Sequence, residues 1–278
     1  MLAPLLLAAV LATPAAAPSA EPTPTPQRVL GLIRSQFRSH RPPPPYETYT
    51  LVRKQNATNG YPDFVNSYTV HVWARTVDGA AMTRLVYRDE ARGPLTFARP
   101  AFNADFDPGP PTADLFEPAP VRVRPVSVVR TPDPYTTPLP VIGGVRALLE
   151  LDYRVDSSST EGDLVHLRIF PIRDAARNRL REIYADAKTL EVRRLVSTDT
   201  LFVDQGKGGV FPITNTITMG TVYGFPVVKT MHGAVGGGYA GDGREVDYRF
   251  DDIAFPDTLP AWYFDPRAYT VHQNDAPL

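Results

Sequence analysis

Residues 67–77 read Ser67-Tyr-Thr-Val-His-Val-Trp-Ala-Arg-Thr-Val77, and their alternation decides the fold class. Tyr68, Val70, Val72 and Ala74 fall on one side of an extended chain, with Thr69, His71, Trp73 and Arg75 on the other. A helix cannot sort side chains this way; a half-buried strand does. Val77-Asp78-Gly79 has turn chemistry, and residues 82–88 return as a second strand, so the two form a hairpin. Val70 and Val72 are expected to face an apolar interior.

The same pattern extends in both directions. Residues 47–55 place Tyr49 and Leu51 on one face and Thr48, Thr50 and Val52 on the other. Further strands are predicted over 152–156, 164–170, 180–186, 190–197, 211–223, 225–232 and 244–250, with a loop at 157–162 and a tight turn at Ala187-Lys188. One helix precedes them. Thr25 is placed to cap it and Pro26 to begin it, and Leu30, Ile33 and Phe37 form its apolar stripe. Pro42 to Pro45 stop it. Residues 93–140 are dense in proline, which central strands reject. They read as a surface excursion with an edge strand such as 121–129, and 141–151 as a short helix. Sequential strands with little helix predict a mainly β (α+β) fold built on an antiparallel sheet.

The stretch Leu164-Val-His-Leu-Arg-Ile-Phe-Pro171, followed by Leu180-Arg-Glu-Ile-Tyr-Ala-Asp186 and Thr189-Leu-Glu-Val192, resembles the LolA/LolB-like superfamily of periplasmic lipoprotein carriers. The closing stretch Tyr248-Arg-Phe-Asp-Asp-Ile-Ala-Phe255, then Leu259-Pro-Ala-Trp262 and Phe264-Asp-Pro266, is similar in kind. The resemblance runs from Gln27 to Pro266 and is most specific over 164–196. It implies a curled antiparallel sheet or incomplete barrel, one or two helices covering its concave face, and an apolar cavity able to hold acyl chains. The proline-rich insertion and the glycine-rich segment near Gly233 depart from that pattern.

Residues 1–20 combine an almost wholly apolar run, Met1 to Ala12, with a tail of small residues and prolines, Thr13 to Ala20, as a secretory signal peptide does. Residues 21–26 read as a linker, 27–270 as a single domain with the insertion at 93–140, and 271–278 as a C-terminal tail. The expected location is therefore periplasmic or extracellular. A net charge of −1 gives no electrostatic pull toward nucleic acid. The chain has no cysteine, which removes disulfides, thiolate metal sites, a cysteine nucleophile and the acylated cysteine of an anchored lipoprotein.

Gly236-Gly-Gly-Tyr-Ala-Gly241 matches a dinucleotide-binding spacing, but a strand follows it where a phosphate site needs a helix N-terminus. Asn103, Asp105, Asp107 and Asp114 are spaced like calcium ligands, yet Pro108 and Pro110 interrupt them and the loop glycine is misplaced. His40, His71, His166, His232 and His272 form no close ligand pair. His71 and His166 share the sheet, where a cross-strand meeting is conceivable. Glu182 and Asp186 are expected to pair with Arg179, Arg181 or Arg193. No nucleophile elbow or P-loop occurs.

These readings predict no enzyme, no metal, no cofactor and no catalytic residue. They predict an exported binding or carrier protein for a lipid or other hydrophobic ligand. The ligand would meet Tyr49, Leu51, Tyr68, Val70, Val72, Val165, Leu167, Ile169, Tyr248 and Phe250. Alternation marks a lined cavity and a packed core alike. The alternative is thus an envelope-associated accessory protein with a closed core and a protein partner. A hydrolase with a site assembled from distant residues is a third reading.

Overall fold

The computed structural model describes residues 24–56, 67–86, 92–97, 109–118, 152–203, 209–235 and 245–277. Helix α1 (Pro26–Arg38) opens the fold. The Thr25 hydroxyl accepts from the Arg28 N–H, and Pro26 sits where no N–H is needed. Strands β1 (Tyr46–Asn56), β2 (Tyr68–Arg75), β3 (Ala81–Val86) and β4 (Arg92–Thr96) form a meander. A second meander comprises β5 (Tyr153–Glu161), β6 (Leu164–Pro171), β7 (Leu180–Asp186), β8 (Val192–Val203), β9 (Gly209–Val222), β10 (Phe225–Val235) and β11 (Glu245–Ala254). A 3₁₀ turn, Ala261–Phe264, and helix α2 (Pro266–His272) close the described chain.

The two meanders merge into one 11-stranded antiparallel sheet because β1 pairs with β11 as well as with β2. Leu51 stands opposite Val70 on one side and Phe250 on the other. The sheet is open. Its edges are β4 and β5, which follow one another among the described strands, and the proline-rich stretch runs between them in the chain.

One face of the sheet forms the main core. Tyr49, Leu51, Val70, Val72, Leu167, Ile169, Ile183, Leu195, Tyr248 and Phe250 are buried there with Leu30, Ile33 and Phe37 of α1. Each such side chain contributes about 1.5–3 kcal/mol by leaving water. Arg53 continues the inner row of β1 and is also buried; its Nε donates to the Tyr248 hydroxyl at 3.1 Å, and its guanidinium lies 5.8 and 5.7 Å from the ring centroids of Tyr68 and Tyr248. The opposite face carries a second core: Trp73, Met82, Leu95 and Tyr263. The C-terminal 3₁₀ turn thus covers the back of the N-terminal meander, and Trp73, read as outward, is buried beneath it.

Two further expectations change. Residues 157–161 do not form a loop but extend β5, whose serines and threonine make a polar, exposed edge strand; this composition discourages further strand addition. The described part of the proline-rich excursion, 109–118, is not a surface loop. Pro111, Thr112 and Phe116 are buried, and the Val228 N–H donates to the Pro111 carbonyl at 2.8 Å. Segment 109–118 forms no strand, yet that does not keep it out of the interior. β4 lies at the start of this region and is an edge strand. The signal segment, strand 121–129, helix 141–151 and Gly236–Gly241 run lie outside the described residues.

Candidate functional site

The inner face of the sheet is brought under α1 by local sequence. Gln27, at the start of α1, faces the free edge of β5. Its side-chain amide donates to the Tyr153 carbonyl and accepts from the Val155 N–H, both at 3.0 Å. The stripe Leu30, Ile33 and Phe37 then lies on the apolar interior.

Segment 109–118 enters beside the C-terminal end of α1. Phe116 is 2% exposed and packs against Phe37 with ring centroids 5.2 Å apart. Arg38 holds the flanking acids: its Nε lies 2.9 Å from Asp114 and a terminal nitrogen 2.7 Å from Glu117. Arg41 donates to the carbonyls of Thr112, at 2.5 Å, and Ala113, at 3.0 Å. Its guanidinium lies over the rings of Phe37 and Phe225, 5.3 and 5.4 Å from their centroids, and its buried Nε has no hydrogen-bond partner among the described residues. The Thr112 hydroxyl donates to the buried Glu47 carboxylate at 2.7 Å. Burial pulls the Arg41 and Arg34 guanidinium groups below the usual arginine range. The Arg38 charge acts in the same direction on both.

All ten side chains nominated for a hydrophobic ligand belong to this one core. Tyr49, Leu51, Val70, Val72, Leu167, Ile169, Tyr248 and Phe250 are buried, and Tyr68 and Val165 pack against them partly exposed. Two open clefts of about 400 and 440 Å³ lie elsewhere, at the rim. They share Tyr223 and Phe255, and none of the ten residues lines either. Tyr223 is 87% exposed at the β9–β10 turn. Alternation identified the inner face; Phe116, Arg38 and Arg41 were missed because nothing local links them. The pair Phe37 and Phe116 meets only through the return of the connection between the sheet edges.

The polar clusters serve the outer face. His71 and His166 do not meet, since six strands separate β2 from β6. His71 Nδ1 lies 2.8 Å from the Thr50 hydroxyl, which donates to Asp252 at 3.1 Å. His166 stacks on Tyr184 and places its two ring nitrogens at 2.9 and 3.0 Å from Glu161 and Glu182. Glu182 therefore pairs with His166 rather than with an arginine, whereas Asp186 approaches Arg193 at 3.8 Å and Arg179 binds Asp199. Asp114, weighed as a calcium ligand, is committed to Arg38. Among the described residues, no cluster of three or more His, Asp or Glu side chains is arranged to hold a metal, and no helix is long and apolar enough to cross a membrane.

No family model matches this chain, and no curated protein matches it. Solved structures do. A LolA superfamily protein from Nitrosomonas europaea is similar at a TM-score of 0.42 and 10% identity, over 85% of this chain and 97% of that one. A DUF1329 family protein from Desulfovibrio piger is similar at 0.38 and 12% identity, over 87% and 98%. The lipoprotein LppX of Mycobacterium tuberculosis is similar at 0.28 and 9% identity, over 85% and 100%. The likeness is one of fold.

Proposed function

We propose that this chain is an exported, non-enzymatic binding or carrier protein for a hydrophobic ligand, held between α1 and the inner face of the sheet. One observation carries the reading. The apolar interior of an open sheet is covered beside α1 by a short non-strand segment, 109–118, which inserts the ring of Phe116 against Phe37. A cover that ends in one aromatic side chain occupies the kind of space an acyl chain fills, and both gain by the same removal of apolar surface from water. Tyr49, Leu51, Tyr68, Val70, Val72, Val165, Leu167, Ile169, Tyr248 and Phe250 are the residues such a ligand would meet once this cover moves aside.

A fluorescent fatty-acid or bis-ANS titration of the folded protein tests it, repeated with Val70→Trp and Leu167→Trp. Saturable binding that both substitutions weaken, with the fold intact, supports the carrier. No binding to the wild type leaves the accessory protein with a closed core.

A further inference from the structure

We propose that the ligand is an anionic amphiphile, whose acidic head group replaces Asp114 and Glu117 on the arginines of α1 while its chain takes the place of Phe116. This rests on the hydrophobic-ligand reading and narrows it to a chemical class. The segment Asp114-Leu115-Phe116-Glu117 is itself built like such a molecule. Its two carboxylates lie on Arg38 at 2.9 and 2.7 Å, its phenyl ring is buried against Phe37, and Leu115 packs against the same core.

The receiving surface carries three guanidinium groups, Arg34, Arg38 and Arg41, and the segment's two carboxylates bind one of them directly, Arg38. Arg34 lies one helical turn before Arg38 on the same face, and its side chain makes no hydrogen bond to a described residue. Arg41 reaches only backbone carbonyls through its terminal nitrogens and leaves its buried Nε without a partner. Burial, and after it repulsion from Arg38, lowers the pKa of Arg34 and of Arg41, while Asp114 and Glu117 act on both in the opposite sense, so both groups lose part of their electrostatic support when the segment leaves. When 109–118 leaves, Asp114 and Glu117 leave with it, and Arg34, Arg38 and Arg41 remain around the opening above the apolar core. An uncharged chain would strand those guanidinium groups; a carboxylate or phosphate on the chain would satisfy them with charge-assisted hydrogen bonds.

The test is calorimetric titration of the full chain, each probe kept below its micelle-forming concentration. Laurate and lauryl phosphate carry the same chain with two acidic heads, monolaurin carries it with an uncharged head, and inorganic phosphate has no chain. Laurate and lauryl phosphate should bind at least tenfold tighter than monolaurin, and inorganic phosphate should neither bind saturably nor compete. A preference between the two acids identifies the head group. Arg34→Gln should erase the preference for charge while leaving monolaurin unchanged; Arg38→Gln should erase it too and, because it releases the cover, should leave monolaurin no weaker. Asp114→Asn combined with Glu117→Gln should tighten laurate more than monolaurin, because the internal competing anion is gone. Circular dichroism checks each fold; if Arg38→Gln unfolds, Arg34→Gln and the double variant still decide. Equal affinity for laurate and monolaurin, in wild type and variants, overturns the head-group site while leaving the hydrophobic carrier standing. Saturable phosphate binding without any effect of the chain reduces the surface to an anion site and overturns the amphiphile. Binding of no chain-bearing probe overturns the carrier and this inference together.

Discussion

Gln27 pairs with Tyr153 as one strand pairs with the next. Its amide donates to the Tyr153 carbonyl and, through the carbonyl oxygen of the same amide, accepts from the Val155 N–H. One side chain thus occupies two outward backbone groups of a strand whose one strand partner among the described residues is β6, and it fixes the start of α1 against the sheet. Gln27→Ala removes both bonds. The expected loss is about 1–2 kcal/mol, since a net hydrogen bond is worth about 0.5–1.5 kcal/mol. Gln27→Glu should cost at least as much, because the carboxylate faces the Tyr153 carbonyl with no proton to give. Urea unfolding measures both; wild-type stability in Gln27→Ala would show that the packing of Leu30, Ile33 and Phe37 alone places α1.

Val70 is 1% exposed and Val77 is 84% exposed, seven residues apart on one hairpin. Val70→Asp should destabilise by about 3–5 kcal/mol through an unpaired buried charge, and Val77→Asp should stay within about 0.5 kcal/mol. Melting temperatures of the two variants check this, and a similar shift in both would refute the assigned faces.

The ring of Tyr263 meets Trp73 edge-on at 6.1 Å and Trp262 at 4.4 Å. Tyr263→Ala should cost about 3 kcal/mol, as truncation of a buried aromatic does. It should also shift tryptophan emission to the red as both indoles gain water. Because this core is on the back of the sheet, hydrophobic-probe binding to the folded variant should be unchanged; loss of binding with the fold intact would tie the two faces together.

Tyr223 and Gly224 turn β9 into β10 with φ of 49° and 80°. The glycine suits that backbone, and the tyrosine does not. Tyr223→Asn makes the favoured Asn-Gly turn and should stabilise by about 0.5–1 kcal/mol once the lost ring contact with Phe255 is subtracted from the relieved strain of about 1–2 kcal/mol. A lower melting temperature would mean that the Tyr223–Phe255 contact outweighs the strain.

Asp186 accepts from the backbone N–H of Thr189 and of Lys188, which hold its carboxyl below the ordinary carboxylate range. A depressed pKa contributes stability that is present above the unfolded-state value and is lost as pH falls through the folded one. The wild type should therefore lose stability on acidification in a window where Asp186→Asn stays flatter. Parallel pH–stability curves for the two proteins would remove the carboxylate from the turn's account.

Alternation made the inner face readable along β1, β2 and β6, because one residue's place on a strand fixes its neighbours'. Period two says which side a residue takes, not whether that side is covered. Trp73 was therefore legible as opposite to Val72 but not as buried, since its cover, Tyr263, arrives from the far end of the chain. The same distance hid the pairing of Leu51 with Phe250. Proline density concealed 109–118: this segment forms no strand, and nothing in its composition told of Phe116 entering the core. Helix α1 was legible to its cap because Thr25, Pro26 and the apolar stripe are all local.

The place of β1 between β2 and β11 also bears on how the molecule is made. As the chain emerges, β1 finds β2 at once, but Leu51 must wait for Phe250 before its other side is joined. Until the final strand is delivered, one border of the early meander presents bare amide and carbonyl groups. Such pairing between distant partners slows folding and leaves half-built species open to association. Holding the nascent chain away from its neighbours would matter most in this interval, and truncations that stop short of β11 should aggregate while the full-length chain does not.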